Sequence, residues 1–205
     1  MSYKHIIFDV DGTLLDTERS VLNSLQETIR VLQQREVEFP DLLFALGIPG
    51  EVTLEKLGVE DTAAGNKVWN SLFKKHFDSV KLFDGIVPLL DALKGKGYKL
   101  GIITSKNPVE FANDFEPFGI TGYFDTIICV TDAPRPKPSP DPMLAYLAKA
   151  GIDKREAIYI GDSPYDMRCA QSAGVDFGLA VWGCRSKEPM DANYYFDSPD
   201  DVVRL

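Results

Sequence analysis

Hydrophobic and polar positions along this chain fall into three successive rhythms. Lys4 to Val10 places apolar side chains at Ile6, Ile7, Phe8 and Val10 and stops at Asp11-Gly12, which predicts a short buried strand ending in a turn. From about Glu18 to Phe77 the spacing is helical. Val21, Leu22, Leu25, Ile29 and Leu32 recur at three- and four-residue intervals, and Val68, Trp69, Leu72, Phe73, His76 and Phe77 do the same. Breaks at Pro40, Gly47-Ile48-Pro49-Gly50, Gly58 and Gly65 divide this stretch into several helices. After Phe83-Asp84-Gly85, strands and helices alternate. Strands are predicted over Lys99–Thr104, Thr126–Val130, Ala157–Ile160 and Phe177–Trp182. Helices are predicted over Pro88–Leu93, Pro108–Phe118, Asp141–Ala150 and Pro164–Ala173, the last ended by Gly174.

This alternation predicts an α/β fold: a Rossmann-like parallel sheet with helices on both faces. The helical block is then an insertion. Residues 1–16 and 81–205 are expected to form the core domain, and residues 17–80 a separate helical domain. The prolines at 134, 136, 138, 140 and 142 read as a rigid loop, because regular elements resume on both sides.

Composition narrows the function classes. A hydrophobic fraction of 44% and a charged fraction of 26% suit a soluble globular protein. The net charge of −9 argues against nucleic-acid or anionic-membrane partners. It leaves a small anionic substrate open, since a metal reverses the local field. Cys129, Cys169 and Cys184 are odd in number and contain no CxxC pair, so they read as buried thiols in a reducing compartment. The apolar run at the N-terminus is too short for a secretion signal, and no stretch reaches the length of a membrane span. A cytoplasmic location is expected. Oligomeric state is not legible.

Four groups of candidate residues follow directly on predicted strands, at the carboxyl end where open parallel sheets bind ligands. Asp9 and Asp11, spaced i, i+2 with Gly12 permitting a sharp turn, supply one carboxylate to attack and one to carry a proton. Thr104-Ser105-Lys106 offers hydroxyls and backbone N–H groups to phosphate oxygens, although capping of the helix at Pro108 explains the hydroxyls equally well. Lys137 sits among prolines; it is either a surface lysine or an ammonium held in place to neutralise a phosphate and a carboxylate. Asp162 and Asp166, around a helix start, suit a hard cation, while Asp162 or Ser163 also suits an N-cap. Together these are the parts that in-line phosphoryl transfer requires.

On these residues the sequence resembles the haloacid dehalogenase superfamily over essentially its whole length. Asp9-x-Asp11-Gly12-Thr13 is similar to its first motif, Thr104 or Ser105 to its second, Lys137 to its third, and Gly161-Asp162-xxx-Asp166 to its fourth. The inserted helices look like the small helical cap of that family. The resemblance implies a magnesium-dependent phosphatase. Asp9 would attack phosphorus and Asp11 would protonate the leaving oxygen. Thr104, Ser105, Lys137 and Gly12 would bind the phosphoryl group. Asp9, Asp11 through its carbonyl, Asp162 and Asp166 would form the Mg2+ site. The presence of Asp11 argues against dehalogenase and phosphonate-cleaving branches. The position ten residues beyond it, a histidine in the phosphosugar mutases, is Val21 here. The implied substrate is a small phosphorylated metabolite, phosphoglycolate first. A phosphosugar mutase, a pyrophosphatase and a non-enzymatic binding protein are the alternatives.

Overall fold

The structure, a computed structural model, describes residues 3–186 and 188–205. Six parallel strands form one sheet in the order β5-β4-β1-β6-β7-β8. They are β1 (His5–Phe8), β4 (Lys99–Ile103), β5 (Thr126–Ile128), β6 (Ala157–Gly161), β7 (Asp176–Ala180) and β8 (Tyr194–Phe196). The predicted parallel α/β sheet is therefore present.

Alternation along the central strands builds two cores. Ile6 and Phe8 of β1 face α5 (Ile86–Gly95), α6 (Pro108–Asp114) and α9 (Pro199–Val202), packing with Leu89, Phe111 and Val202. Ile7 faces the other way, toward α7 (Asp141–Ala150) and α8 (Pro164–Ala173), packing with Met143, Tyr146 and Ala170. A strand buried on both faces needs the unbroken apolar run that Ile6-Ile7-Phe8 provides.

Two short antiparallel strands, β2 (Leu15–Asp16) and β3 (Lys81–Leu82), form a separate ribbon where the chain leaves the sheet and returns. Between them lie α1 (Glu18–Gln33), α2 (Phe39–Leu42), α3 (Gly50–Lys56) and α4 (Thr62–Lys75). Leu22, Leu25, Ile29, Leu42, Leu54 and Trp69 give these helices a hydrophobic cluster of their own. The indole N–H of Trp69 donates to Ser24 Oγ at 2.9 Å, satisfying its one polar atom inside that cluster.

Several boundaries differ from the sequence-based expectation. The strand predicted to reach Trp182 stops at Ala180, because residues 181–183 turn back toward Gly12. The predicted helix to Phe118 ends at Asp114 and continues as a 3-10 turn over Glu116–Phe118. Edge strand β8 and helix α9 were not predicted: three residues with Tyr194 and Tyr195 exposed carry too little pattern. Cys129 and Cys169 are buried as expected, while Cys184 is only half-buried. Among the described residues no helix is long and apolar enough to cross a membrane.

Candidate active site

Register aligns the candidate groups. Phe8 of β1 pairs with Ile102 of β4 and Ile160 of β6, so Asp9, Thr104 and Asp162 emerge within a residue of one another at the same sheet edge. The Asp9 backbone N–H still donates to Ile160 O at 2.9 Å, which fixes the residue as a continuation of the strand. Its carboxylate is buried.

Lys137 reaches this carboxylate from the proline-rich loop. Its side chain is 2% exposed, and its ammonium lies 2.9 Å from Asp9 Oδ1 and 2.6 Å from Asp166 Oδ1. It also approaches the Tyr159 hydroxyl at 3.2 Å. That hydroxyl has one proton to share between Ile103 O and Asp166 Oδ1, at 3.0 and 2.9 Å. The surface-lysine alternative for Lys137 is excluded by this burial.

Asp166 is explained by its helix. Ser163 is the N-cap of α8 and Asp166 the third helical residue, and the two close a reciprocal capping box. Asp166 Oδ2 accepts from the Ser163 N–H at 3.1 Å and from its hydroxyl, while Oδ1 accepts from Lys137 and Tyr159. Every lone-pair direction toward the cleft is thus in use.

Asp162 is less committed. Its Oδ1 accepts from Thr13 Oγ1 at 3.2 Å. Gly12 lies directly against this carboxylate with φ +82, and a Cβ there would collide with Asp162 Oδ1 and Oδ2. Gly12 does not present its N–H to a ligand, because that group donates to Leu15 O at 2.8 Å. What Gly12 contributes in this structure is space for Asp162.

Carboxyl oxygens of Asp9, Asp162 and Asp166 all lie within 4.8 Å of one another. Burial pushes the Asp9 carboxyl up to about 7; Lys137 pulls it down, and Asp166 and Asp11 raise it again. Burial, then Asp166 and Asp9, drive Asp162 well above the usual carboxylate range. One ammonium serves three buried acids, and the donor set is all oxygen. This surplus of hard, desolvated oxygen ligands fits a divalent cation.

Asp11 points instead into the cleft below the inserted helices. Its Oδ1 lies 3.2 Å from the Lys106 ammonium, an ionic contact without hydrogen-bond alignment. Lys106 is shared with Asp114 Oδ2 at 3.3 Å and lies over the Phe73 ring of α4 at 5.4 Å. Burial disfavours its charge, but Asp11 and Asp114 more than offset that and hold it protonated. Thr104 is buried, and its Oγ1 accepts the Lys106 N–H at 3.2 Å. The Ser105 hydroxyl turns to the inserted segment and donates to Gly47 O at 3.0 Å.

Sequence reasoning missed three participants. Lys106 was seen only as part of Thr-Ser-Lys; its position one step past the strand-end hydroxyls was the available signal. Glu110 closes the capping box of α6 with Asn107, and its Oε1 accepts from Asn66 Nδ2 at 3.2 Å and Asn70 Nδ2 at 2.9 Å on α4. Arg185 pairs with Glu18 of α1 at 2.6 Å. Neither contact leaves a trace in spacing, since each joins distant segments. These residues line a cleft of about 100 Å³ between Asp11 and Asp162 on one side and Trp69 and Phe73 on the other.

Comparison with known proteins follows the same lines. The chain is 28% identical over 204 residues to the pyrophosphatase PpaX of Bacillus velezensis, covering 98% of this chain and 94% of that one. It is 29% identical over 205 residues to the phosphoglycolate phosphatase of Aquifex aeolicus, covering 98% and 95%. The solved structure of a candidate phosphoglycolate phosphatase from Lactobacillus plantarum superposes with a TM-score of 0.89 at 28% identity, over 100% of this chain and 99% of that one. The haloacid dehalogenase-like hydrolase family model matches residues 6–180, from the first strand of the sheet through the end of β7, and the chain belongs to that family.

Proposed function

We propose that this protein is a magnesium-dependent phosphatase that hydrolyses a small phosphorylated metabolite through a phosphorylated Asp9. The observation that carries the reading is the buried Asp9 carboxylate, oriented by Lys137 and lying beside Asp162, whose one side-chain partner among the described residues is the Thr13 hydroxyl. Asp9, Asp162 and the Asp11 backbone carbonyl would hold the cation, which supplies charge neutralisation for the phosphoryl oxygens. Asp166 acts through Lys137 and the start of α8, because its own oxygens are occupied.

In the first half-reaction a carboxylate oxygen of Asp9 bonds to phosphorus as the ester P–O bond breaks. The leaving oxygen takes a proton from Asp11. In the second, Asp11 accepts a proton from water, whose oxygen attacks phosphorus; the acyl phosphate P–O bond breaks, releasing phosphate and restoring Asp9. Lys137 stays charged throughout, and the buried Thr104 hydroxyl, whose oxygen accepts the Lys106 N–H, would donate to a phosphoryl oxygen. Residues 17–80 act as a cap over the core formed by 1–16 and 81–205, excluding water from the first step.

Val21 lines the cleft and offers no proton-carrying group beside Asp11, which favours water over a second sugar hydroxyl as acceptor. The test is phosphate release from p-nitrophenyl phosphate with Mg2+. Chelation should abolish it, and Asp9→Asn should lower kcat by about 10⁴-fold or more. Full activity in Asp9→Asn would overturn the proposal.

A further inference from the structure

The lining of this cleft, catalytic acids included, has an uneven charge. Among the described residues its acids are Asp11, Glu18, Glu110, Asp114 and Asp162, against only two cations, Lys106 and Arg185. Both cations are already engaged. Lys106 bridges Asp11 and Asp114, and Arg185 is bound to Glu18. Among the described residues Glu110 has no cationic partner: its oxygens accept from the side chains of Asn66 and Asn70 and from the backbone N–H of Asn107. Each asparagine donates a side-chain N–H to Glu110, and the Asn66 amide oxygen lies against Gly50. Burial holds the Asp114 carboxyl above its usual range even beside Lys106.

A second anionic group on the substrate would find, among the described residues lining this space, no cation that is not already paired. It would have to detach Lys106 from its two carboxylates or lie against Glu110 and Asp114, at the cost of like-charge repulsion and an unpaired buried acid. A group that donates hydrogen bonds meets the opposite situation, with carboxylate oxygens to accept.

Resting on the phosphatase reading above, we propose that the cap cleft selects phosphomonoesters whose leaving alcohol is small, carries no anionic group and donates hydrogen bonds, through hydroxyl or ammonium. Glu110 is the specificity-determining residue. The inference departs from the phosphoglycolate ranking drawn from sequence resemblance: both phosphoglycolate and pyrophosphate release an anionic leaving group.

The test compares kcat/KM for the full chain with Mg2+ on five substrates: p-nitrophenyl phosphate as reference, glycerol 1-phosphate, phosphoethanolamine, phosphoglycolate and pyrophosphate. Glycerol 1-phosphate or phosphoethanolamine should exceed both anionic substrates by about 10-fold or more, about 1.4 kcal/mol of discrimination. Which of the two leads identifies hydroxyl or ammonium as the recognised donor. Glu110→Gln can keep the capping box through its single amide oxygen while removing the charge. It should raise the ratio of phosphoglycolate to phosphoethanolamine kcat/KM by about 5-fold or more. Preference for phosphoglycolate or pyrophosphate in the parent, or an unchanged ratio in a folded Glu110→Gln, overturns the inference while the phosphatase reading stands. Inactivity on all five substrates overturns the phosphatase reading, and the inference with it.

Discussion

Asp9→Asn is expected to make the metal-free protein more stable while destroying its activity. Burial lifts the Asp9 carboxyl from 3.8 to about 7, with Lys137 opposing and Asp166 and Asp11 reinforcing the rise. A change of that size is about 4 kcal/mol of preference for the neutral acid inside the fold. The sign follows from the direction. The folded chain holds this proton more tightly than the unfolded chain, so its stabilising contribution is complete below about pH 4 and lost as pH rises to about 7. At about pH 8 the parent carries the buried charge in full, whereas asparagine has the same shape and no charge. The variant should therefore gain about 2–4 kcal/mol, the lower figure allowing for the lost Lys137 hydrogen bond. Urea denaturation with a chelator, from about pH 4 to 9, measures this directly. The advantage should shrink toward acid pH, and Mg2+ should close it by stabilising only the parent. A variant no more stable than the parent at about pH 8, or a gap independent of pH, would refute the assignment of Asp9 as a destabilising buried charge.

Lys137→Met should cost about 3–5 kcal/mol, because it strands Asp9 and Asp166 without their shared ammonium. Adding Asp166→Asn should recover part of the loss, a non-additivity read from the four denaturation curves. Ser105→Ala removes one hydrogen bond to Gly47 O, about 1 kcal/mol, so kcat/KM should fall less than about 10-fold. Thr104→Val should lower it by about 10²-fold if its hydroxyl holds a phosphoryl oxygen; steady-state kinetics on p-nitrophenyl phosphate separates the two residues. Gly12→Ala should destabilise by about 1–2 kcal/mol through its positive φ and weaken Mg2+ binding by displacing Asp162, which calorimetric titration detects.

Much of this molecule was legible before folding because its signals are local. Ile6-Ile7-Phe8 announces a strand buried on both faces, and Asp9 follows without a gap. The helix over Asp141–Ala150 and the one starting at Pro164 carry their own stop and start residues. Gly12 was readable as a turn but not as a steric concession to Asp162, a residue far along the chain. Ser105 looked interchangeable with Thr104 until the fold turned it toward Gly47. Lys106 meets the Phe73 ring, Glu110 meets Asn70, and Arg185 meets Glu18 only when α1 and α4 settle over the sheet. Contacts between segments that share no periodicity are decided by tertiary packing, and no window of residues encodes them.

The ribbon of Leu15–Asp16 and Lys81–Leu82 gives the helical insertion an unusual freedom of size. Its two ends are pinned one strand spacing apart by hydrogen bonds, so to the sheet the whole excursion is a closed loop. The entropy of closing such a loop grows only with the logarithm of its length, about 0.6 kcal/mol for each doubling. Helices can be lengthened, exchanged or removed between these anchor points at little cost to the sheet's folding. The helices that wall one side of the cleft can thus vary without altering the strand ends that carry Asp9, Thr104 and Asp162.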